Sequence, residues 1–179
     1  MWVFGYGSLI CDSEWAAALG CVRDAKAQVP GYRRAFIKAS VRNWGSKECP
    51  CPTLNLIKSE SAHCRGMAFE FPDDREQEIL AYLTKREGND FALDKLPTQL
   101  ESGDEIAAIV PVYNGNNLIK AEVIEDVAKM VLQANGKSGR CFDYLKCVAE
   151  QLRHLGIDDP AVSELWRIVI QHSGKPPAI

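Results

Sequence analysis

The spacing of apolar residues changes once along this chain, and that change limits the folds open to it. Up to about residue 122 the apolar residues fall in short runs or alternate with polar ones, bounded by Gly, Pro and Asn as strands are. Residues 2–4, 22–29, 32–37, 53–57, 64–71, 106–113 and 118–122 read this way. Pro30-Gly31 separates the second run from the third, and a Ser-rich turn separates 53–57 from 64–71. Residues 41–52, with Trp44-Gly45 and prolines on both sides of Cys51, read as an irregular loop. Two helical stretches interrupt the strands. Asp12-Ser13-Glu14 starts a short one that stops at Gly20. Pro72-Asp73-Asp74 starts a longer one, with Ile79, Leu80 and Leu83 at helical spacing and Gly88-Asn89 as the stop. From Val123 onward the period is helical, over 123–132, about 141–155, and a third helix after Asp158-Asp159-Pro160. Strands first and helices gathered at the end predict α+β and not a doubly wound sheet.

With 179 residues, 46% of them hydrophobic and 25% charged, the chain is long enough for one compact core. A single domain over 1–173 is expected, with 174–179 a frayed tail. The net charge of −3 gives no electrostatic footprint for nucleic acid. No run approaches the roughly 18 apolar residues that span a bilayer. The start of the chain lacks a basic n-region and an h-region, so the expected location is the cytosol. Oligomeric state is left open.

Seven cysteines at irregular spacing, with no secretion signal, argue against a disulfide framework, and reduced thiols are expected. Cys49-Pro50-Cys51 with His63-Cys64 lacks the usual zinc-ligand gaps of about two to four residues, so no metal site is expected.

The first strand breaks on Gly5-Tyr6-Gly7-Ser8. Two glycines so close let the backbone turn sharply and bring N–H groups against a bound group. Such a loop is either a hairpin turn or an anion-binding concavity of the oxyanion-hole kind. It is not a dinucleotide loop, because Ile10 stands where a third glycine or alanine is needed. Neither is it a Walker A loop; Gly136-Lys137-Ser138 fails that pattern too, with Val131 in place of the required glycine.

Among the acids, Glu87 stands out. It closes a helix just before Gly88-Asn89, where the dipole is already negative. A carboxylate so placed has a raised pKa if also partly buried, which suits general acid–base work. The alternative is a solvated glutamate paired with Lys85 or Arg86. No serine lies in a Gly-x-Ser-x-Gly elbow, and the three histidines have no nucleophile partner in the sequence. Gly136-Lys137-Ser138-Gly139 opens the long helix that carries Tyr144, and there Ser138 either caps the helix or meets an anionic ligand.

Taken in order, four pieces resemble the ChaC-like branch of the γ-glutamylcyclotransferase family. These are Tyr6-Gly7-Ser8-Leu9; Gly31-Tyr32-Arg33-Arg34-Ala35-Phe36 with Ser40 and Pro52-Thr53-Leu54; Tyr82-Leu83-Thr84-Lys85-Arg86-Glu87; and Gly136-Lys137-Ser138-Gly139-Arg140 with Tyr144-Leu145. The resemblance covers about residues 1–157. It implies a small mixed β-barrel with flanking helices and a reaction without a cofactor. It further implies that a γ-glutamyl compound, glutathione first, closes on its own α-amine to release 5-oxoproline. By resemblance Tyr6, Gly7, Ser8 and Leu9 hold the γ-glutamyl group, and Glu87 is the acid–base residue. Ser138 and Tyr144 resemble pocket-lining positions, and Arg33 or Arg42 suits a substrate carboxylate by charge type. Cys11-Asp12-Ser13-Glu14, Val41-Arg42-Asn43-Trp44-Gly45 and Gly88-Asn89-Asp90-Phe91 depart from the family pattern. These departures bear on the leaving group: a dipeptide, an amino acid or an amine. A non-catalytic γ-glutamyl-binding module is the further alternative.

Overall fold

The computed structural model describes residues 1–12, 14–121 and 123–174. Ser13 of the first helix start, Glu122 at the end of the 118–122 run, and tail residues 175–179 lie outside the described residues.

Five strands, β1 (Trp2–Gly5), β2 (Arg23–Ser40), β3 (Cys51–Glu70), β4 (Phe91–Leu100) and β5 (Glu105–Tyr113), close into a barrel in the order β1-β3-β2-β4-β5. β1 runs antiparallel to β3, from Trp2↔Glu70 to Gly5↔Met67, and parallel to β5 through Trp2↔Ala108 and Val3↔Ile109. That one parallel pair makes the barrel mixed, as expected for the α+β class. β4 and β5 form a long antiparallel hairpin from Phe91↔Tyr113 to Gln99↔Glu105.

The strands differ from their sequence reading in four places. β2 does not break at Pro30-Gly31; Gly31 takes the bend at φ +76° and the strand continues. β3 runs straight through Ser59-Glu60-Ser61, a half-buried serine and two exposed polar residues that keep the extended backbone without turning it. β4 has no counterpart in the sequence reading, because Asp94-Lys95 and Pro97 hide its alternation. The 118–122 run shrinks to a single bridge between Leu118 and Lys38.

The chain forms two compact units. The first comprises residues 1–34 and 56–116, the second 35–55 and 117–179. In the first, α1 (Ser8–Cys11) and α2 (Glu14–Ala18) follow β1, and α3 (Glu76–Glu87) follows a single 3-10 turn at Asp73–Arg75. Its core gathers Val3, Leu9, Trp15, Phe69, Phe71, Ile79 and Leu83, so α3 packs the predicted apolar positions Ile79 and Leu83 inward. The close approach of β3 to β1 depends on Gly66: a Cβ there would overlap the Gly5 carbonyl oxygen and sit 2.9 Å from the Phe4 ring.

In the second unit, α4 (Ile124–Gln133), α5 (Cys141–His154) and α6 (Pro160–Ser173) pack on one another around Val131, Leu145, Val148, Leu165 and Val169. Asp159 caps α6 as read from the sequence, accepting from the Val162 N–H at 3.3 Å. Between α4 and α5 lies a tight hairpin of β6 (Asn135–Gly136) and β7 (Gly139–Arg140). The expectation of seven reduced thiols fails here: Cys51, first in β3, and Cys141, first in α5, are disulfide-bonded and fully buried. The fold joins two cysteines 90 positions apart, a distance at which spacing says nothing of pairing. Cys11, Cys21, Cys49, Cys64 and Cys147 remain thiols. Among the described residues no group of three or more His, Cys, Asp or Glu side chains could hold a metal ion. No helix among them is long and apolar enough to cross a membrane.

Candidate active site

In the first unit, the glycine loop leaves β1 and turns into α1 with each of its carbonyls tied down. The Tyr6 carbonyl accepts from Arg34 Nε at 2.7 Å, and the Gly7 carbonyl from the Ile10 N–H at 3.0 Å. The Ser8 carbonyl accepts from Arg86 Nη2 at 3.2 Å, and the Leu9 carbonyl from Trp15 Nε1 at 3.1 Å. In a trans peptide the C=O and the following N–H point in opposite directions. Anchoring the carbonyls of Tyr6, Gly7 and Ser8 therefore turns the N–H groups of Gly7, Ser8 and Leu9 the other way. N–H groups held in fixed directions suit a carboxylate or a carbonyl oxygen that gains charge. The Tyr6 side chain is not one of these donors. It is buried, and its hydroxyl donates to the Pro111 carbonyl at 2.7 Å, fixing the loop to β5.

Glu87 is the last residue of α3, which stops as read: Gly88 takes φ +92° and its N–H closes on the Thr84 carbonyl at 2.9 Å. The Glu87 side chain is only 15% exposed, which sets aside the reading of a solvated glutamate. Its Oε1 lies 3.8 Å from Arg86 Nε, the same guanidinium that holds the Ser8 carbonyl. Arg86 Nη1 donates to the Tyr82 hydroxyl at 2.8 Å. Tyr82 in turn stacks on Trp15, ring centroids 5.7 Å apart and planes within 9°. The acid and the loop are thus parts of one polar and aromatic assembly.

Arg33 and Arg34 fall on opposite sides of β2. Arg33 is exposed, whereas Arg34 is 1% exposed and donates to the Tyr6 and Arg65 carbonyls. Arg34, Arg86, Trp15 and Tyr82 are the supporting residues that sequence reasoning missed. Period-two alternation requires one of the Arg33-Arg34 pair to point inward, but it does not say which.

In the second unit, Ser138 and Tyr144 both meet the 41–55 segment. Ser138 sits in the β6–β7 turn with its side chain exposed, and its N–H donates to the Asn43 carbonyl at 2.7 Å. It does not cap α5, whose N-cap is Arg140. The Lys137 N–H donates to the Arg42 carbonyl at 2.9 Å, so the hairpin lies along the 42–45 loop. Arg42 itself is exposed. Gly136 allows the contact: a Cβ there would come 2.5 Å from both the Asn43 carbonyl oxygen and the Gly45 nitrogen. Tyr144 is buried, accepts from the Leu54 N–H at 3.1 Å, and lies 5.5 Å from the Trp44 ring.

Comparison with known proteins bears on family and fold. The family model described as ChaC-like protein matches residues 1–172. γ-Glutamylcyclotransferase 2-3 of Arabidopsis thaliana is 31% identical, over 92% of this chain and 86% of that protein. The glutathione-specific γ-glutamylcyclotransferase of Schizosaccharomyces pombe is also 31% identical, over 87% of this chain and 84% of its own. The Escherichia coli protein of the same name is 29% identical, over 92% and 71%. The crystal structure of a γ-glutamylcyclotransferase specific to glutathione from yeast superposes with a TM-score of 0.83 at 21% identity, covering 96% of each chain; at that identity the likeness is one of fold. By sequence and by barrel, the chain belongs to the ChaC-like family of γ-glutamylcyclotransferases.

Proposed function

We propose that this enzyme releases 5-oxoproline from glutathione, with Glu87 as general acid and base and the backbone of Tyr6, Gly7, Ser8 and Leu9 as the γ-glutamyl cradle. The names of the Schizosaccharomyces pombe and Escherichia coli relatives support glutathione as substrate. One observation carries the mechanism: a largely buried carboxylate is linked through Arg86 to a loop whose carbonyls are all anchored. The family match across residues 1–172 likewise supports reading 1–173 as a single domain.

In the proposed reaction the loop N–H groups hold the γ-glutamyl end of the substrate. Glu87 takes a proton from the α-ammonium group, and the freed amine attacks the γ-carbonyl carbon of the same molecule. A carbon–nitrogen bond forms to close the five-membered lactam, and the bond to the cysteinylglycine nitrogen breaks. Glu87 returns its proton to that leaving nitrogen, and the second proton shed by the ring nitrogen as it becomes the lactam N–H passes to the released amine, which departs as an ammonium, so the balance closes without water or a protein nucleophile. Tethered attack of this kind reaches effective molarities of about 10⁵ M or more, and the enzyme's task is to fold the substrate and shuttle protons from the attacking to the leaving nitrogen.

Arg33, Ser138 and Tyr144 enter as substrate-binding residues on the family resemblance of their segments. Exposure on β2 leaves the Arg33 guanidinium accessible to a substrate carboxylate. An unchanged KM in Arg33→Ala or Ser138→Ala removes that residue from the site.

The test is 5-oxoproline release from glutathione, γ-glutamyl dipeptides and γ-glutamylamines by wild type and Glu87→Gln. Glutathione turnover that Glu87→Gln lowers by about 10²–10⁴-fold, with the fold intact, is the expected result. Turnover of amines alone replaces the substrate, and binding without turnover replaces the reaction by a sensing role.

A further inference from the structure

We infer that Arg86 is a positioning residue for this reaction: its guanidinium sets the Glu87 carboxylate against the Ser8–Leu9 peptide, an inference that rests on Glu87 being the acid–base group. Three nitrogens of one rigid plane meet three different partners. Nη1 donates to the Tyr82 hydroxyl at 2.8 Å, Nη2 to the Ser8 carbonyl at 3.2 Å, and Nε lies 3.8 Å from Glu87 Oε1. A planar guanidinium fixes the mutual directions of its N–H groups, so these contacts hold loop, helix end and carboxylate in one geometry.

The arrangement is braced from behind. Tyr82 stacks on Trp15, and Trp15 Nε1 donates to the Leu9 carbonyl at 3.1 Å. Starting at the Ser8 carbonyl and passing through Arg86, Tyr82 and Trp15, the chain of contacts returns to the Leu9 carbonyl, the next peptide along. The Leu9 N–H belongs to the very peptide whose carbonyl Arg86 grips. Moving Arg86 therefore moves a proposed substrate donor and the proposed base together. Lys85, one residue earlier, is exposed and shares none of these contacts. A lysine at position 86 would carry the charge but, with a single nitrogen on a flexible stem, could not hold three directions at once. The ion pair at 3.8 Å contributes little to stability by itself, so its geometry is better explained by position than by strength.

The experiment measures kcat and KM for 5-oxoproline release from glutathione in wild type, Arg86→Lys, Tyr82→Phe, Glu87→Gln and the Arg86→Lys/Glu87→Gln double variant, with melting curves for each. Arg86→Lys is expected to stay folded, keep KM within about threefold and lose about 30–100-fold in kcat, the scale of an ångström's misplacement. Tyr82→Phe, which keeps the charge and removes one brace, is expected to lose about 3–10-fold. In the Glu87→Gln background Arg86→Lys should cost about 3–10-fold, clearly less than in wild type, because the part of its effect that runs through Glu87 is gone and only the Ser8–Leu9 peptide is left to position. A purely structural role would instead lower activity equally in both backgrounds. A folded Arg86→Lys with wild-type kcat, or an equal loss in both backgrounds, overturns the inference while leaving Glu87 in place. Should Arg86→Lys fail to fold, wild-type kcat in Tyr82→Phe overturns it. Full activity in Glu87→Gln overturns the acid–base reading and this inference with it.

Discussion

Arg34 and Tyr6 are joined by a 2.7 Å hydrogen bond from the guanidinium Nε to the backbone carbonyl, on a side chain from which solvent is excluded. The same guanidinium also donates to the Arg65 carbonyl, so one buried cation ties the glycine loop to β3. Arg34→Met would leave both carbonyls without these donors. At about 1–3 kcal/mol for each buried group left unpaired, the loss should be about 2–6 kcal/mol, read by urea denaturation. The Arg33→Ala variant, one residue away and exposed, should stay within about 0.5 kcal/mol of wild type.

Reduction of the Cys51–Cys141 bond should lower stability markedly. The bridge closes a loop of 90 residues, for which chain entropy gives roughly 4.6 kcal/mol. For a chain of this length that corresponds to a fall in Tm of about 9–18 °C. Dithiothreitol should produce it in wild type and do nothing to a Cys51→Ser/Cys141→Ser variant, which should melt low from the start. Equal melting of oxidised and reduced wild type would contradict the expectation.

Gly66→Ala is expected to cost about 1–3 kcal/mol or more, because the new methyl group meets the Gly5 carbonyl and the Phe4 ring, and neither can withdraw without opening the β1–β3 pairing. Thermal melting measures this directly. A melting temperature equal to that of wild type would show that the two strands part more readily than their packing implies.

Tyr144→Phe removes the hydroxyl that accepts from the buried Leu54 N–H, and should cost about 1–3 kcal/mol. Ser138→Ala should be nearly neutral in stability, since its exposed side chain is not what binds Asn43; its backbone N–H does that. Any rise in KM in Ser138→Ala therefore reports substrate contact and not folding.

Elements whose boundaries are written locally could be read from the sequence: β1 before its glycines, α3 stopped by Gly88, and α6 capped by Asp159. Elements fixed by their partners could not. Pro30-Gly31 carries every local mark of a turn, yet β2, set between β3 and β4 in the barrel, runs extended through it. β4 is held in place by β5 despite Asp94, Lys95 and Pro97. At the site, the helix dipole and the family resemblance single out Glu87, and the two glycines single out the loop. The residues that make them one assembly (Arg34, Arg86, Trp15 and Tyr82) look in the sequence like strand, ion-pair and core residues. Their roles arise from contacts across dozens of positions, such as Arg86 with Ser8.

The parallel pairing of β1 with Ala108 and Ile109 bears on how such a chain is made. The strand leading into the glycine loop emerges from the ribosome long before its β5 partner is synthesised. Until then β1 is an apolar edge without its final neighbours, and barrel closure must wait for a contact of high sequence separation, the kind that slows folding and prolongs exposure to aggregation. Catalytic competence thus waits on barrel closure, although the glycine loop is translated long before the β5 strand that completes the barrel.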